Sequence, residues 1–155
     1  MIDLKPIEEM LIPTLKSAGY ELITLKCTPA NEVLVEIDSY NGVDIDYCAQ
    51  INQLLQKEIE KQTDDFELEV GSVSLTDPFK TIMQYRKNLG KEVELVRKAD
   101  NKKMKGLLVD VEDDCFAVDV EEKIKTEGKK RPQLQVNTYQ FKYEDVAYTK
   151  YLLKV

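Results

Sequence analysis

The sequence predicts an α+β protein: an N-terminal α/β sandwich-like domain in the order helix, strand, strand, helix, strand, then a small all-β barrel. Three observations carry this. Apolar residues of the first 60 positions recur twice with helical spacing, on either side of runs that alternate like strands. The second half holds short alternating runs parted by polar turns. Charge divides with the same boundary: residues 1–78 carry 5 Lys+Arg and 16 Asp+Glu, whereas residues 79–155 carry 17 and 13. The expected organisation is therefore a domain over 1–76, a linker with a short helix over 77–90, and a barrel over 91–155 with an extended basic loop at 122–137. With Leu, Ile, Val and Phe making 45 of 155 residues, the chain is far above the ~20 % at which charged chains stay disordered.

Leu4, Ile7, Leu11, Leu15 and Ala18 lie on one helical face. Asp3 can cap this helix, Pro6 suits its first turn and Gly19 its stop. Pro13 is expected to kink or split it. Extended runs follow at 20–28 and 32–39, joined by a turn at Pro29-Ala30-Asn31. Tyr40-Asn41-Gly42 is a second turn. Asp44 caps a helix whose apolar face reads Ile45, Cys48, Ile51, Leu55, Ile59. Phe66 to Val70 alternates as a strand.

Asp77-Pro78 breaks the chain, and 79–89 can form a short helix ending at Gly90. Strands are then expected around Val93 and Leu95, along a stripe of Leu107, Val109 and Val111, and along a stripe of Phe116, Val118 and Val120. Two more are expected at 139–142 and 146–153. Residues 122–137 alternate poorly and read as a long mobile loop or an extended hairpin arm.

The residue inventory narrows the chemistry. With no histidine in the chain, imidazole bases, Ser-His-Asp and Cys-His sites and histidine-ligated metals are excluded. The six glycines stand apart, without a phosphate-cradling motif. Gly71-Ser72-Val73-Ser74 lacks the last glycine of a nucleophile elbow. The three cysteines form no Cys-x-x-Cys; they read as small buried hydrophobes in a reducing, cytoplasmic setting. No apolar run spans a bilayer, and Glu8-Glu9 precede any secretory apolar region. No catalytic residue, metal or cofactor is expected.

Two kinds of charged cluster remain. Asp64, Asp65, Glu67 and Glu69 could hold a divalent cation, but acids on the polar face of a strand commonly face water, and no calcium-loop pattern is present. Arg86 and Lys87 with Lys91, then Arg97 and Lys98 with Lys102, Lys103 and Lys105, then Lys129, Lys130 and Arg131 form three basic groups. Each could meet phosphates or be a solvated face. Tyr139, Tyr143, Tyr148 and Tyr151 could stack on bases or pack in a barrel.

The stretch Gly42-Val43-Asp44-Ile45-Asp46-Tyr47-Cys48-Ala49 resembles the loop and helix start of the bacterial ribosome maturation factor RimP family. So does Leu68 to Phe79, where that family has Glu-Val-Ser-Ser-Pro-Gly-Leu-x-Arg-Pro-Leu. Lys105-Gly106-Leu107-Leu108 is similar to its basic-Gly-x-Leu strand, and Glu144-Asp145-Val146 to its final turn. The chain departs at Ser72-Val73-Ser74 and at Asp77, where the family has Ser-Pro-Gly and Arg. The resemblance implies a non-enzymatic assembly factor with an N-terminal α/β domain and a C-terminal SH3/Sm-like barrel, which associates with the free small ribosomal subunit. Its partners would be a basic ribosomal protein, met by Asp64, Asp65, Glu67 and Glu69, and rRNA, met by the three basic groups. It would act as a monomer with no membrane and no small-molecule substrate. The alternatives are a generic RNA-binding barrel with an acidic protein-interaction domain, and a protein adaptor that binds no nucleic acid.

Overall fold

The computed structural model describes residues 2–124 and 133–153. Lys129, Lys130, Arg131 and half of the expected 122–137 loop (125–132) lie outside the described residues. The chain divides into two compact units, Met1–Ser74 and Leu75–Val155.

In the first unit, α1 (Lys5–Ser17), β1 (Glu21–Cys27), β2 (Glu32–Asp38), α2 (Ile45–Glu60) and β3 (Glu67–Ser72) follow the expected order. The Lys5 N–H donates to Asp3 Oδ1 at 3.1 Å at the start of α1. The helix stops at Gly19, φ +82°, where the Gly19 N–H reaches the Lys16 carbonyl at 3.1 Å and the Tyr20 N–H the Leu15 carbonyl at 2.9 Å. α1 is not split at Pro13 but continues across it. Pro13 and Glu9, whose carbonyl the proline leaves without a helical donor, are both exposed.

β1 and β2 form an antiparallel hairpin, while β2 and β3 run parallel. Parallel neighbours need a crossover, and α2 supplies it. Ile7, Leu11 and Leu15 of α1 and Ile51, Leu55 and Ile59 of α2 share one core with Val33, Val35 and Ile37 of the central strand. Both helices thus cover one sheet face and leave the other open. Asp44 caps α2, its side chain accepting from the Asp46 N–H at 2.9 Å. Ile45, expected on the buried face, is 84 % exposed. Two successive steps of three turn it about 120° away from Ile51 at 100° per residue.

The second unit holds α3 (Ile82–Lys87), β4 (Glu92–Arg97), β5 (Lys103–Val111), β6 (Cys115–Ile124), β7 (Gln133–Lys142), a 3₁₀ turn (Tyr143–Asp145) and β8 (Val146–Tyr151). The sheet order is β7-β6-β5-β4-β8: a meander whose last strand returns beside its first. All pairs are antiparallel. In place of a closed barrel the described strands form an open ladder, with β7 and β8 at its two ends. Residues 122–124 and 133–137 belong to the long β6–β7 hairpin. α3, expected in a linker, packs into this unit's core through Tyr85.

The stripe expected on Leu107, Val109 and Val111 is corrected. Leu108 is fully buried and Met104 nearly so, whereas Leu107 and Val109 are exposed. The ladder with β6 slips between Leu108 and Asp110. This bulge inserts Val109 and flips the alternation beyond it, so Val111 returns to the core side. The stripe Phe116, Val118, Val120 is buried as expected.

Candidate functional site

The open face of the first sheet collects acids from two strands. Val33, Val35 and Ile37 point into the core, so their alternates Glu32, Leu34 and Glu36 point away from it. Parallel register sets Glu32 beside Glu67 and Leu34 beside Glu69, while Lys26 of β1 lies opposite Leu34. A shallow groove of about 330 Å³ runs here, bordered by Lys26, Thr28, Glu32, Leu34, Glu67 and Glu69. Asp64 and Asp65 are exposed in the turn before β3. Asn31 ties that turn down: its Nδ2 donates to the Asp65 carbonyl at 3.3 Å and its own carbonyl accepts from the Glu67 N–H at 3.0 Å. Glu32 and Glu36 escaped the sequence prediction. Alternation puts Glu36 on the polar face, but the β2–β3 pairing that brings it to β3 has no local signal.

The basic residues of the second unit are not one cluster. Arg86 reaches Asp113 Oδ1 at 2.7 Å, beside the β5–β6 turn. Lys87, on the same helix, is half-buried. Arg97, Lys98 and Lys103 gather at the other end of β5, joined by Lys102. There the Arg97 guanidinium grips Asp100 through Nε at 3.1 Å and Nη2 at 2.7 Å. Held by Arg97 and by the Lys102 N–H, the Asp100 carboxyl titrates at about 2. The Nε–Nη2 edge of the guanidinium is thereby engaged within the protein.

The outward face of β4, β5 and β8 centres on Glu94, which is 6 % exposed. Register places Lys105 of β5 and Lys150 of β8 on either side of it. Lys150 Nζ lies 3.6 Å and Lys103 Nζ 3.8 Å from its carboxylate. The Tyr148 hydroxyl donates to Glu94 Oε2 at 3.1 Å; burial and this bond raise the phenol's pKa. A buried carboxylate requires such partners. Lys105 and Lys98 are exposed, and no ion pair involves them among the described residues. A groove of about 350 Å³ continues between β5 and β6, bordered by Lys102, Lys103, Lys105, Glu121 and Glu122. Lys150 also escaped the sequence prediction, although its alternation with Tyr148 in the last strand could have found it.

The tyrosines pack. Tyr139 and Tyr143 lie against the second core. The Tyr139 hydroxyl donates to Glu122, and that of Tyr143 to the Glu112 carbonyl at 2.6 Å. Burial pushes Tyr143 up to about 12. The three cysteines are free and half-buried; burial and the nearby Asp44 raise the Cys48 thiol. Among the described residues no cluster of metal-ligating side chains occurs, and no helix is long and apolar enough to cross a membrane.

A family model described as the RimP N-terminal domain matches residues 10–75, which is most of the first unit. Among curated relatives, the ribosome maturation factor RimP of Porphyromonas gingivalis is 31 % identical over 131 residues, covering 84 % of this chain and 86 % of that protein. The protein of the same name from Flavobacterium psychrophilum is 30 % identical over 98 residues, covering 63 % of this chain and 62 % of its own. That from Christiangramia forsetii is 28 % identical over 88 residues, covering 57 % and 56 %. The Porphyromonas likeness runs through both units, and on that ground this chain belongs to the RimP family.

Proposed function

We propose that this protein is a non-catalytic maturation factor of the small ribosomal subunit, acting in the cytoplasm as a monomer on the free subunit. Membership of a family whose members are named ribosome maturation factors carries the reading. The two charged faces give it a physical form. The open sheet face with Glu32, Glu36, Glu67 and Glu69, flanked by Asp64 and Asp65, suits a basic ribosomal protein. Lys98, Lys102, Lys103, Lys105 and Lys150 of the second unit suit rRNA phosphates, whose neutralisation releases counterions. Such complementarity sets encounter rate and specificity more than raw affinity. Arg86 and Lys87, and Lys129, Lys130 and Arg131, would extend the phosphate-binding surface. We read the meander with its returning last strand as a partly open SH3/Sm-like barrel.

Depletion of the protein tests this reading. Cells lacking it should accumulate small subunits that still carry precursor rRNA. An unchanged subunit profile at low and high temperature counts against the assignment.

A further inference from the structure

A groove between α1 and β1 of the first unit shares no residue with either charged face. Its volume is about 390 Å³, and it is lined by Glu8 and Ile12 of α1 and by Glu21, Leu22, Ile23 and Leu25 of β1. Leu22 and Leu25 stand opposite Ile37 and Val35 and pack against the first core, so they form the floor. The register of β1 slips between Leu22 and Thr24. Ile23 is the extra residue of this bulge, taken out of the alternation. It borders the groove together with Ile12, which is 45 % exposed.

The lining is apolar or anionic. Glu8 and Glu21 are its only charged residues, and Glu9 adds a third acid three positions before Ile12, a neighbour on the helix surface. Lys16, one turn beyond Ile12, is exposed and outside the lining. The groove on the open sheet face, by contrast, includes Lys26. β1 is an outer strand of its sheet, but the bulge breaks the row of N–H and C=O groups that an added strand needs. Recognition in this groove therefore falls to side chains.

We propose that this groove binds a cationic amphipathic helix of another protein. Apolar side chains three and four residues apart on such a helix would lie against Ile12 and Ile23. Its flanking lysines or arginines would meet Glu8 and Glu21. These two acids line the groove itself, so they face an occupant directly, well inside the Debye length of about 8 Å at physiological ionic strength. The surrounding charge has the same sign, since residues 1–78 carry 5 Lys+Arg against 16 Asp+Glu. A phosphate backbone offers the floor no apolar face, and both acids repel it. The inference goes beyond the function proposed above, which sets a basic protein on the open sheet face, and does not need it.

The test uses the full chain and a dye-labelled, end-blocked peptide of lysine, alanine and leucine whose leucines share one helix face, followed by fluorescence anisotropy and amide NMR shifts. Saturable binding should move the resonances of Ile12, Ile23 and their neighbours. A peptide of the same composition with its leucines scattered round the helix, or one with glutamate in place of lysine, should bind at least tenfold more weakly. Glu8→Gln/Glu21→Gln and, separately, Ile12→Lys should each lose at least tenfold in affinity, whereas Glu67→Gln/Glu69→Gln should stay within twofold of the parent. Unfolding curves show whether each variant folds, and the scattered peptide tests the unaltered protein if one does not. The proposal is overturned if the peptide does not bind saturably, if scattering its leucines leaves affinity unchanged, or if the shifts fall on the open sheet face or in the second unit. It is equally overturned if single-stranded RNA moves the groove resonances, or if they move with protein concentration alone, because the groove then takes nucleic acid or a second copy.

Discussion

Gly106 and Asp119 approach so closely across the β5–β6 ladder that a Cβ on Gly106 would lie 2.3 Å from the Asp119 carbonyl oxygen and 2.7 Å from Val118 Cγ1. The obstacle is backbone, which cannot swing aside as a flexible side chain could. Gly106→Ala should therefore destabilise the protein by about 1–3 kcal/mol, the usual range for overpacking. Gly71 has nothing within 4 Å of such a Cβ and no positive φ, so Gly71→Ala should stay within about 0.5 kcal/mol of the parent. Denaturant unfolding of the two variants makes the comparison.

The α2 face gives a second contrast. Leu55 is fully buried and Ile45 is 84 % exposed. Leu55→Ala should cost about 2–5 kcal/mol through lost transfer energy and the cavity left behind. Ile45→Ala should change stability by about 0.5 kcal/mol or less. Equal losses in thermal or denaturant unfolding would contradict the helix orientation described here.

Asp100 gives a pH prediction with a definite sign. Its carboxyl is lowered from an ordinary 3.8 to about 2, first by the Arg97 hydrogen bond. A depressed carboxylate stabilises the fold above its unfolded pKa and loses that contribution as pH falls through its folded value. The stabilisation is thus complete above about pH 4 and lost toward pH 2. Carbon-detected NMR titration should find the Asp100 midpoint near 2, returning toward the ordinary carboxylate range in Arg97→Gln. An ordinary midpoint in the parent would show that the pair does not persist in solution.

Glu94 withholds charge from the lysine face, since Lys103 and Lys150 both lie against it. If that face meets rRNA phosphates, Glu94→Gln should tighten RNA binding. It should also steepen its salt dependence, by up to about 0.7 in log–log slope for each further single-strand phosphate engaged. Weaker binding with an intact fold would place the RNA elsewhere.

Much of the fold is legible in the sequence because its signals are local. Val33, Val35 and Ile37 alternate without interruption and lie in the core. Gly19 ends α1 where a left-handed residue is needed. The misreadings have equally local causes that one-residue periodicity cannot display. The bulge at Val109 shifts alternation by one, so Leu108 replaces Leu107 and Val109 in the core. Pro13 does not split α1, where both it and Glu9 are exposed. The charged faces were legible only in part. Glu67 and Glu69 alternate visibly, but Glu32 and Glu36 join them through a parallel pairing across the length of α2. Arg86 and Arg97 read as members of two separate basic groups in sequence, and the fold keeps them at opposite ends of β5, each engaged by an aspartate.

The central claim is that the two charged faces hold the protein on the free small subunit. Sucrose-gradient cosedimentation with purified free small subunits tests it most directly, using the parent protein, Glu32→Gln/Glu67→Gln/Glu69→Gln and Lys103→Gln/Lys105→Gln. The parent should travel with free small subunits and not with whole ribosomes, and each folded variant should shift toward the top of the gradient. Parent protein remaining at the top, or variants that sediment as the parent does, would contradict the claim.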